Sequence, residues 1–268
     1  MKDVFITGIS SDIGKYLAEC YMRDGWTVGG TYRTEIADDF RRSIAASGGK
    51  CYQCDFSIKA DIQDLIENCK RDNMCWDLLI SSVGNLEPIG KFKEIDFDEW
   101  EQSIHINAIS QLRFLHGVYD LKKGNSTILF FAGGGTNSAF TNYSAYCISK
   151  ILLIKMCELL DDEDESINVV IVGPGMIGTK IHGSTLKHQA AAGDNYFKTI
   201  QFLETEGDVY QKSMERVYRF ICWAEKNGRD VCSGRNFSVV HDKWEEDNNL
   251  INELLKDDDM YKLRRYKN

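Results

Sequence analysis

Apolar residues along this chain fall in two alternating rhythms. Short runs rich in β-branched and aromatic residues include "DVFIT", "TVGGTY", "KCYQCD", "WDLLISS", "STILFF", "INVVIV" and "NFSVV". Between them lie longer amphipathic stretches: "IGKYLAECYMRDG", "ADIQDLIENCKRD", a span from about Phe97 to Tyr119, "YCISKILLIKMCELL" and "MERVYRFICWAEKN". Short continuous apolar runs suit strands buried on both faces, and the longer stretches carry helical spacing. Strands alternating with helices predict a parallel sheet covered on both sides, and right-handed crossovers make it doubly wound. The expected fold class is α/β: a Rossmann-like doubly wound parallel sheet in a single domain.

No repeat, low-complexity linker or break in composition divides the chain. With 268 residues, 43% of them hydrophobic and 27% charged, it falls in the range of one globular α/β domain. The only prolines, Pro88 and Pro174, both follow candidate strands, at the sheet ends where such folds bind ligands. The acidic run "DDEDE" at 161 to 165 reads as a solvated helix end. Residues 180 to 211 are polar and read as an irregular substrate lid, with Tyr196, Phe197 and Phe202 as candidate lining.

Charge and cysteine usage narrow the function classes. The net charge is −9 and no basic block is long enough to follow a phosphate backbone, which argues against nucleic acid as a partner. No apolar run approaches the ~20 residues of a membrane span. The opening "MKDVFITG" enters a strand at once, so a cytoplasmic protein without a cleavable leader is expected. Nine scattered cysteines include one CxxC, "CYQC", with no second pair or histidine to complete a metal site. They read as reduced structural thiols, and no metal is expected.

The candidate chemistry starts at "FITGISSDIGKYLA", a glycine-containing turn between the first strand and first helix. Gly8 permits the tight turn, and Gly14 lets the helix pack close to the sheet. The backbone of Ser10, Ser11, Asp12 and Ile13 would meet a pyrophosphate at the positive helix end. Asp12 is expected to turn its carboxylate onto the helix N–H groups as a cap. The second strand ends "GGTYRTE", with Arg33 near its end and no acid before Glu35. An arginine there suits a 2′-phosphate, so NADP(H) is favoured over NAD(H).

In "SAYCISK", Tyr146 and Lys150 stand four apart and share one helix face. A free phenol has a pKa near ~10. A neighbouring ammonium is expected to lower that value, so that Tyr146 exchanges a proton with a carbonyl or alcohol oxygen.

Together, "TGISSDIG" and "YCISK" resemble the short-chain dehydrogenase/reductase family and its TGxxxGxG pattern, which Thr7, Gly8 and Gly14 match while Asp12 replaces the middle glycine. The resemblance covers about residues 1 to 242, as one dinucleotide-binding and catalytic domain, and leaves 243 to 268 as a C-terminal extension. It implies adenine binding by Asp55 with Phe56 beside it. It places "ISSVG", with Ser82 and Gly84, under the cofactor ribose, and makes Asn107 the active-site asparagine. Pro174 and Gly175 would then shape the turn beside the nicotinamide, with the Ile177 backbone at its carboxamide and Thr179 near the carboxamide or a phosphate, and Lys150 would also touch the ribose. The family's catalytic serine falls on Gly133, within "AGGGT", where no hydroxyl stands. Thr136 is the nearest substitute, the glycine N–H groups are another, and a serine restored at 133 is expected to be tolerated.

A small-molecule substrate and a homodimer or homotetramer follow from the same resemblance. "SGRNFSVVHDKWEE" and the glycine triplet are similar to members from bacterial surface-polysaccharide pathways, which points to a nucleotide sugar or carbohydrate intermediate. The segment from Lys243, with "KLRRYK", would pack on a partner subunit or stay solvated. The reading is an NADP-dependent oxidoreductase for a carbonyl or secondary alcohol. Its rival is a catalytically impaired dinucleotide-binding sensor or partner protein, favoured by Asp12, "SSVG" and the absent serine. A sugar epimerase or dehydratase would need a longer chain with a separate substrate domain.

Overall fold

A computed structural model describes residues 1–206, 209–245 and 248–265. Seven parallel strands form one sheet: β1 (Asp3–Thr7), β2 (Thr27–Tyr32), β3 (Cys51–Gln53), β4 (Trp76–Ser81), β5 (Lys122–Phe131), β6 (Ile167–Gly173) and β7 (Arg235–Ser238). Their order across the sheet is β3-β2-β1-β4-β5-β6-β7, the doubly wound arrangement expected from the strand–helix alternation.

The period-2 geometry of a strand divides the apolar runs between two cores. Val4 and Ile6, Leu78 and Ile80, Leu129 and Phe131, and Val170 and Val172 point to one face. Phe5, Leu79, Ile128, Phe130, Val169 and Ile171 point to the other. The first face is covered by α1 (Asp12–Arg23), α2 (Asp38–Ala46) and, later in the chain, α10 (Val209–Cys232), which is broken at Gly228 by a φ of 67°. The second is covered by α3 (Lys59–Arg71), α5 (Ser110–Val118) and α6 (Ser144–Glu163).

The long span from Phe97 is helical but not uniform. It runs as α4 (Phe97–Ile104), a π-helical turn at His105–Ile109, and then α5. Residues 180 to 211 differ from the irregular lid expected of them. Over their described part they form α7 (His182–Lys187), α8 (Gln189–Ala192), α9 (Asp194–Glu206) and the start of α10, while residues 207 and 208 of that stretch lie outside the described residues. The physical reason is partly tertiary: Ala192 is fully buried against Leu86, Ile89 and Tyr143, and Gly193 at φ 58° supplies the left-handed turn between α8 and α9.

The segment after Lys243 packs on its own chain. Trp244, and Leu250 and Leu254 of α11 (Asn248–Leu254), join the first core. The buried Arg235 guanidinium donates to the carbonyls of Leu254, Asp257 and Met260 at 2.6–3.0 Å, which ties the tail to β7. Tyr261 stacks edge-on against Phe237, 5.3 Å between centroids. Tyr266 and Lys267, the end of "KLRRYK", lie outside the described residues. No helix of the described residues is long and apolar enough to cross a membrane.

Candidate active site

Strand order reverses between β1 and β4, which opens a crevice at their C-terminal ends. The glycine turn lies there. Gly8 has φ 73° and donates its N–H to Thr31 Oγ1 at 2.9 Å. A Cβ at Gly14 would overlap the carbonyl oxygen of Gly8, so the helix passes closer to the turn than any side chain allows. Ser11, not Asp12, is the N-cap: its Oγ accepts from the Gly14 N–H at 3.0 Å. Ser10 is exposed on the turn, and Ile13 packs inward on the first core. These two offer backbone rather than side chain to a ligand.

Asp12 corrects the capping expectation. As the first residue of α1 its carboxylate leaves the helix and reaches the loop after β6. It accepts the Lys180 backbone N–H at 2.7 Å and lies 3.8 Å from Lys180 Nζ. That contact closes a bridge from the glycine turn to the opposite bank of the crevice. Sequence reading missed Lys180 because the two residues are far apart along the chain.

At the end of β2, Arg33 is exposed, with its carbonyl held by Gln53 Nε2 at 3.2 Å. A second arginine stands at the same strand end: Arg41 of α2 lies 4.9 Å from the Tyr32 ring centroid and donates to its hydroxyl at 3.1 Å. Beyond β3, Asp55 Oδ1 accepts the Ser57 N–H at 2.8 Å in a local turn. Phe56 differs from the expectation of a cofactor contact. Its side chain is buried in the second core, edge-on to Phe114 at 6.1 Å, because an aromatic ring gains more from that apolar packing than from the surface. The CxxC thiols are held protonated by burial, Cys51 pushed up to about 11 and Cys54 to about 12.

The loop after β4 is clamped from two sides. Ser82 Oγ donates to the Thr7 carbonyl at 2.7 Å and lies 3.3 Å from Ser11 Oγ, so it braces the glycine turn from beneath. Gly84 is exposed, and a Cβ there would have Asn107 Oδ1 and Ile181 Cδ1 at 3.8 Å. Asn107 is fully buried within the π-helical turn. Its Oδ1 accepts the Asn85 N–H and its Nδ2 donates to the Asn85 carbonyl, both at 2.8 Å, with the Ser103 carbonyl at 3.0 Å. This amide is therefore committed to holding the loop.

A π turn leaves carbonyls without their usual i+4 partners. Gln111 Nε2 fills that role for Asn107 O at 2.7 Å and Ile106 O at 3.2 Å, and it also meets Val83 O at 3.0 Å. Its Oε1 accepts from Ser81 Oγ at 2.6 Å. Gln111 went unnoticed in the sequence, although its position four residues after Asn107 was the available signal.

Tyr146 and Lys150 project from the first turns of α6, at 9% and 4% exposure, with Nζ 5.6 Å from the phenol centroid. The expected lowering of the phenol pKa is not found. Burial pushes the Tyr146 hydroxyl well above its ordinary value, with a small contribution from Cys147, and burial alone lowers Lys150 to about 8. Loss of hydration is the leading cause at both groups. At neutral pH this leaves a protonated phenol beside an ammonium poised to lose its proton.

The glycine triplet is fitted to this pair. A Cβ at Gly133 would overlap Tyr146 Oη and come within 2.5 Å of Cε1. At Gly135, where φ is 97°, it would meet Cys147 Sγ at 2.5 Å. The serine expected to be tolerated at 133 would thus collide with the tyrosine it was meant to assist. Thr136 folds back over the loop, its Oγ1 donating to the Gly133 carbonyl at 3.3 Å.

Beyond β6, Pro174 is half-buried and Gly175, at φ 81°, passes so close to Val240 that a Cβ would lie 2.5 Å from Cγ2. Ile177 is buried in the first core, and its carbonyl accepts from the Thr179 N–H at 2.6 Å and lies 3.0 Å from His182 Nε2. The loop thus forms a tight strap over residues 174 to 182, held at its far end by Asp12.

A family model described as short chain dehydrogenase matches residues 2–190. An uncharacterized oxidoreductase of Saccharomyces cerevisiae is 25% identical over 183 residues, covering 66% of this chain and 71% of that protein. An uncharacterized oxidoreductase of Schizosaccharomyces pombe is 30% identical over 154 residues, covering 54% and 62%. The crystal structure of a short chain dehydrogenase/reductase from Saccharomyces cerevisiae superposes with a TM-score of 0.79 at 20% identity, covering 92% of this chain and 99% of that one.

Proposed function

The chain belongs to the short-chain dehydrogenase family and is an NAD(P)-dependent oxidoreductase; from that premise we propose that it reduces a carbonyl to an alcohol with NADP(H) as the preferred cofactor. The observation that carries this reading is the buried Tyr146–Lys150 pair, a protonated phenol beside a lysine lowered to about 8. The turn from Gly8 to Gly14 fits a pyrophosphate, since its backbone approaches at a distance no Cβ permits.

The reduced nicotinamide supplies the hydride. Tyr146 donates its Oη proton to the carbonyl oxygen as the carbonyl carbon gains that hydride: the phenolic O–H bond breaks and the alcohol O–H bond forms. Lys150, close to its titration point, returns a proton to the phenolate. Asn107 and Gln111 act as positioning residues that fix the loop after β4. Arg33, joined by Arg41, supports the 2′-phosphate, and Asp55 serves the adenine through the carboxylate oxygen opposite its turn bond. Pro174, Gly175, Ile177 and Thr179 form the nicotinamide side of the crevice, and Gly84 leaves room beneath the ribose. A single domain with residues 180 to 206, helical over most of their length, as the main part of its lid belongs to the same reading. So does a homodimer or homotetramer, supported by an apolar groove between α5 and α6 lined by Leu112 and Met156.

The two echoes behind a carbohydrate substrate have other physical accounts. The glycine triplet is fitted to Tyr146 and Cys147, and the "SGRNFSVV" segment anchors the C-terminal tail through Arg235.

The test is NADPH consumption across a panel of ketones with Tyr146→Phe as the control. Turnover should fall about a thousandfold while NADPH affinity, read by intrinsic fluorescence, is unchanged. Full activity in that variant refutes Tyr146 as the acid. NADPH binding without consumption of any ketone favours a dinucleotide-binding partner protein instead. Equal affinity for NADPH and NADH refutes the role of Arg33.

A further inference from the structure

We infer that the substrate side of Tyr146 is shaped for an arene-fused cyclic ketone, a carbonyl carried on a compact apolar body, and not for a polyhydroxylated one. The inference rests on the carbonyl-reductase reading above for the identity of the reacting group.

Tyr146 belongs to neither of the two large cores. It sits in a separate small apolar cluster, with Leu86 and Ile89 from the loop after β4 and Tyr143 from the turn before α6. Phe140, Ile181 and Tyr196 pack on that cluster while remaining partly open. The rings of Phe140 and Tyr143 stack at 4.3 Å and 5°, giving one side of the cluster a rigid aromatic edge.

Several polar groups around the cluster are already paired within the chain. The Tyr143 hydroxyl is 2.9 Å from Thr185 Oγ1, Asn142 Nδ2 donates to the Ala192 carbonyl at 3.3 Å, and Asn195 Nδ2 donates to the Thr141 carbonyl at 3.0 Å. Glu87 and His188, on the flanking loops, pair with each other at 3.5 Å and are each close to half exposed. Position 133 adds no hydroxyl, being glycine.

A sugar-like ketone would lose water from several hydroxyls here and find these partners occupied, which disfavours its binding. An arene-fused cyclic ketone brings only its carbonyl oxygen, and that oxygen has the Tyr146 hydroxyl to meet. The remaining surface of such a ligand is apolar and matches the wall.

The experiment compares 2-tetralone with dihydroxyacetone and fructose, using the full chain and NADPH. The expected kcat/KM for 2-tetralone exceeds that for either polar ketone by about a hundredfold. Tyr196→Asn and, independently, Ile181→Asn should each narrow that ratio about tenfold, since both side chains are partly exposed and lie outside the reacting pair. A ratio near one, or a preference for the polar ketones, overturns the inference while leaving the reductase reading intact.

Calorimetry of 2-tetralone binding to the protein saturated with NADP⁺ separates the two claims. Binding that weakens in Tyr196→Asn, without turnover of any ketone, sustains the apolar substrate side and sinks the reductase reading. Neither binding nor turnover of 2-tetralone overturns the inference outright.

Discussion

Two glycine clusters border this crevice, and they owe their glycines to different neighbours. In the turn from Gly8 to Gly14, a Cβ on the second glycine meets the backbone oxygen of the first, six residues away. In the triplet at 133 to 135, a Cβ meets side chains of α6: Tyr146 at Gly133 and Cys147 at Gly135. The first cluster is a local device, complete within one strand–turn–helix unit. The second is a seat for the Tyr146 hydroxyl, and its need for glycine arises only when α6 docks. A glycine that faces backbone guards the fold. One that faces a movable ring guards the position of that ring.

Substitution at each cluster should separate these roles, with the largest effect at the triplet. Gly133→Ser should lower NADPH-dependent turnover about a hundredfold by displacing Tyr146, with cofactor affinity retained. Gly14→Ala should instead destabilise the protein by about 1–3 kcal/mol in urea unfolding and weaken NADPH binding, because backbone cannot move aside. Adding Tyr146→Ala to Gly133→Ser should restore most of any lost stability, whereas it should do nothing for Gly14→Ala. A Gly133→Ser protein as active as the unmodified one would break the comparison.

Lys150 sharpens the view of the second region. Its folded pKa, about 8, lies below the ordinary value of 10.5 because burial disfavours the charge. Between those values the unfolded chain binds the extra proton, so stability rises with pH across that window, and below about pH 8 the buried charge carries its full cost. Lys150→Met should therefore stabilise the fold at pH 7 by about 2–3 kcal/mol, a gain that shrinks as pH rises from 8 toward 10.5. Denaturation curves at several pH values measure this directly. A pH-independent difference would show that Lys150 is not desolvated.

Smaller effects are expected where the first region meets its opposite bank. Asp12→Asn keeps an acceptor for the Lys180 N–H but removes the charge, and should speed NADPH release about fivefold in stopped-flow. An unchanged release rate would mean that the strap is held by other contacts. Smallest of all is Thr136→Val, which removes one 3.3 Å bond to the Gly133 carbonyl. It should alter turnover less than about threefold, and a large loss would return the substrate oxygen to Thr136.

Much of the fold was legible in the chain. Alternating apolar runs gave the strand–helix succession, because a strand buried on both faces and a helix with one apolar stripe impose different spacings. The turn with Gly8 and Gly14 and the i,i+4 pair Tyr146 and Lys150 were also legible, since each is defined within one or two elements. Segments whose shape depends on distant contacts were not. Residues 180 to 211 read as irregular because they are polar, and the core that receives Ala192 comes from elsewhere. The tail from Lys243 read as an extension because its anchor, Arg235, satisfies carbonyls up to 25 residues away.

The sequence by itself determined the doubly wound class, the glycine turn between β1 and α1 and the pairing of Tyr146 with Lys150 on one helix face. These follow from local periodicity, backbone freedom and residue chemistry. Tertiary structure alone decided that Ser11 caps α1 while Asp12 reaches Lys180, that Asn107 and Gln111 are committed to bracing a loop, and that Tyr146 occupies the space a serine at 133 would need. It also decided the sign of the pKa shifts: spacing brings a phenol and an ammonium together, but only burial sets how much each loses in leaving water, and here that loss moves both values.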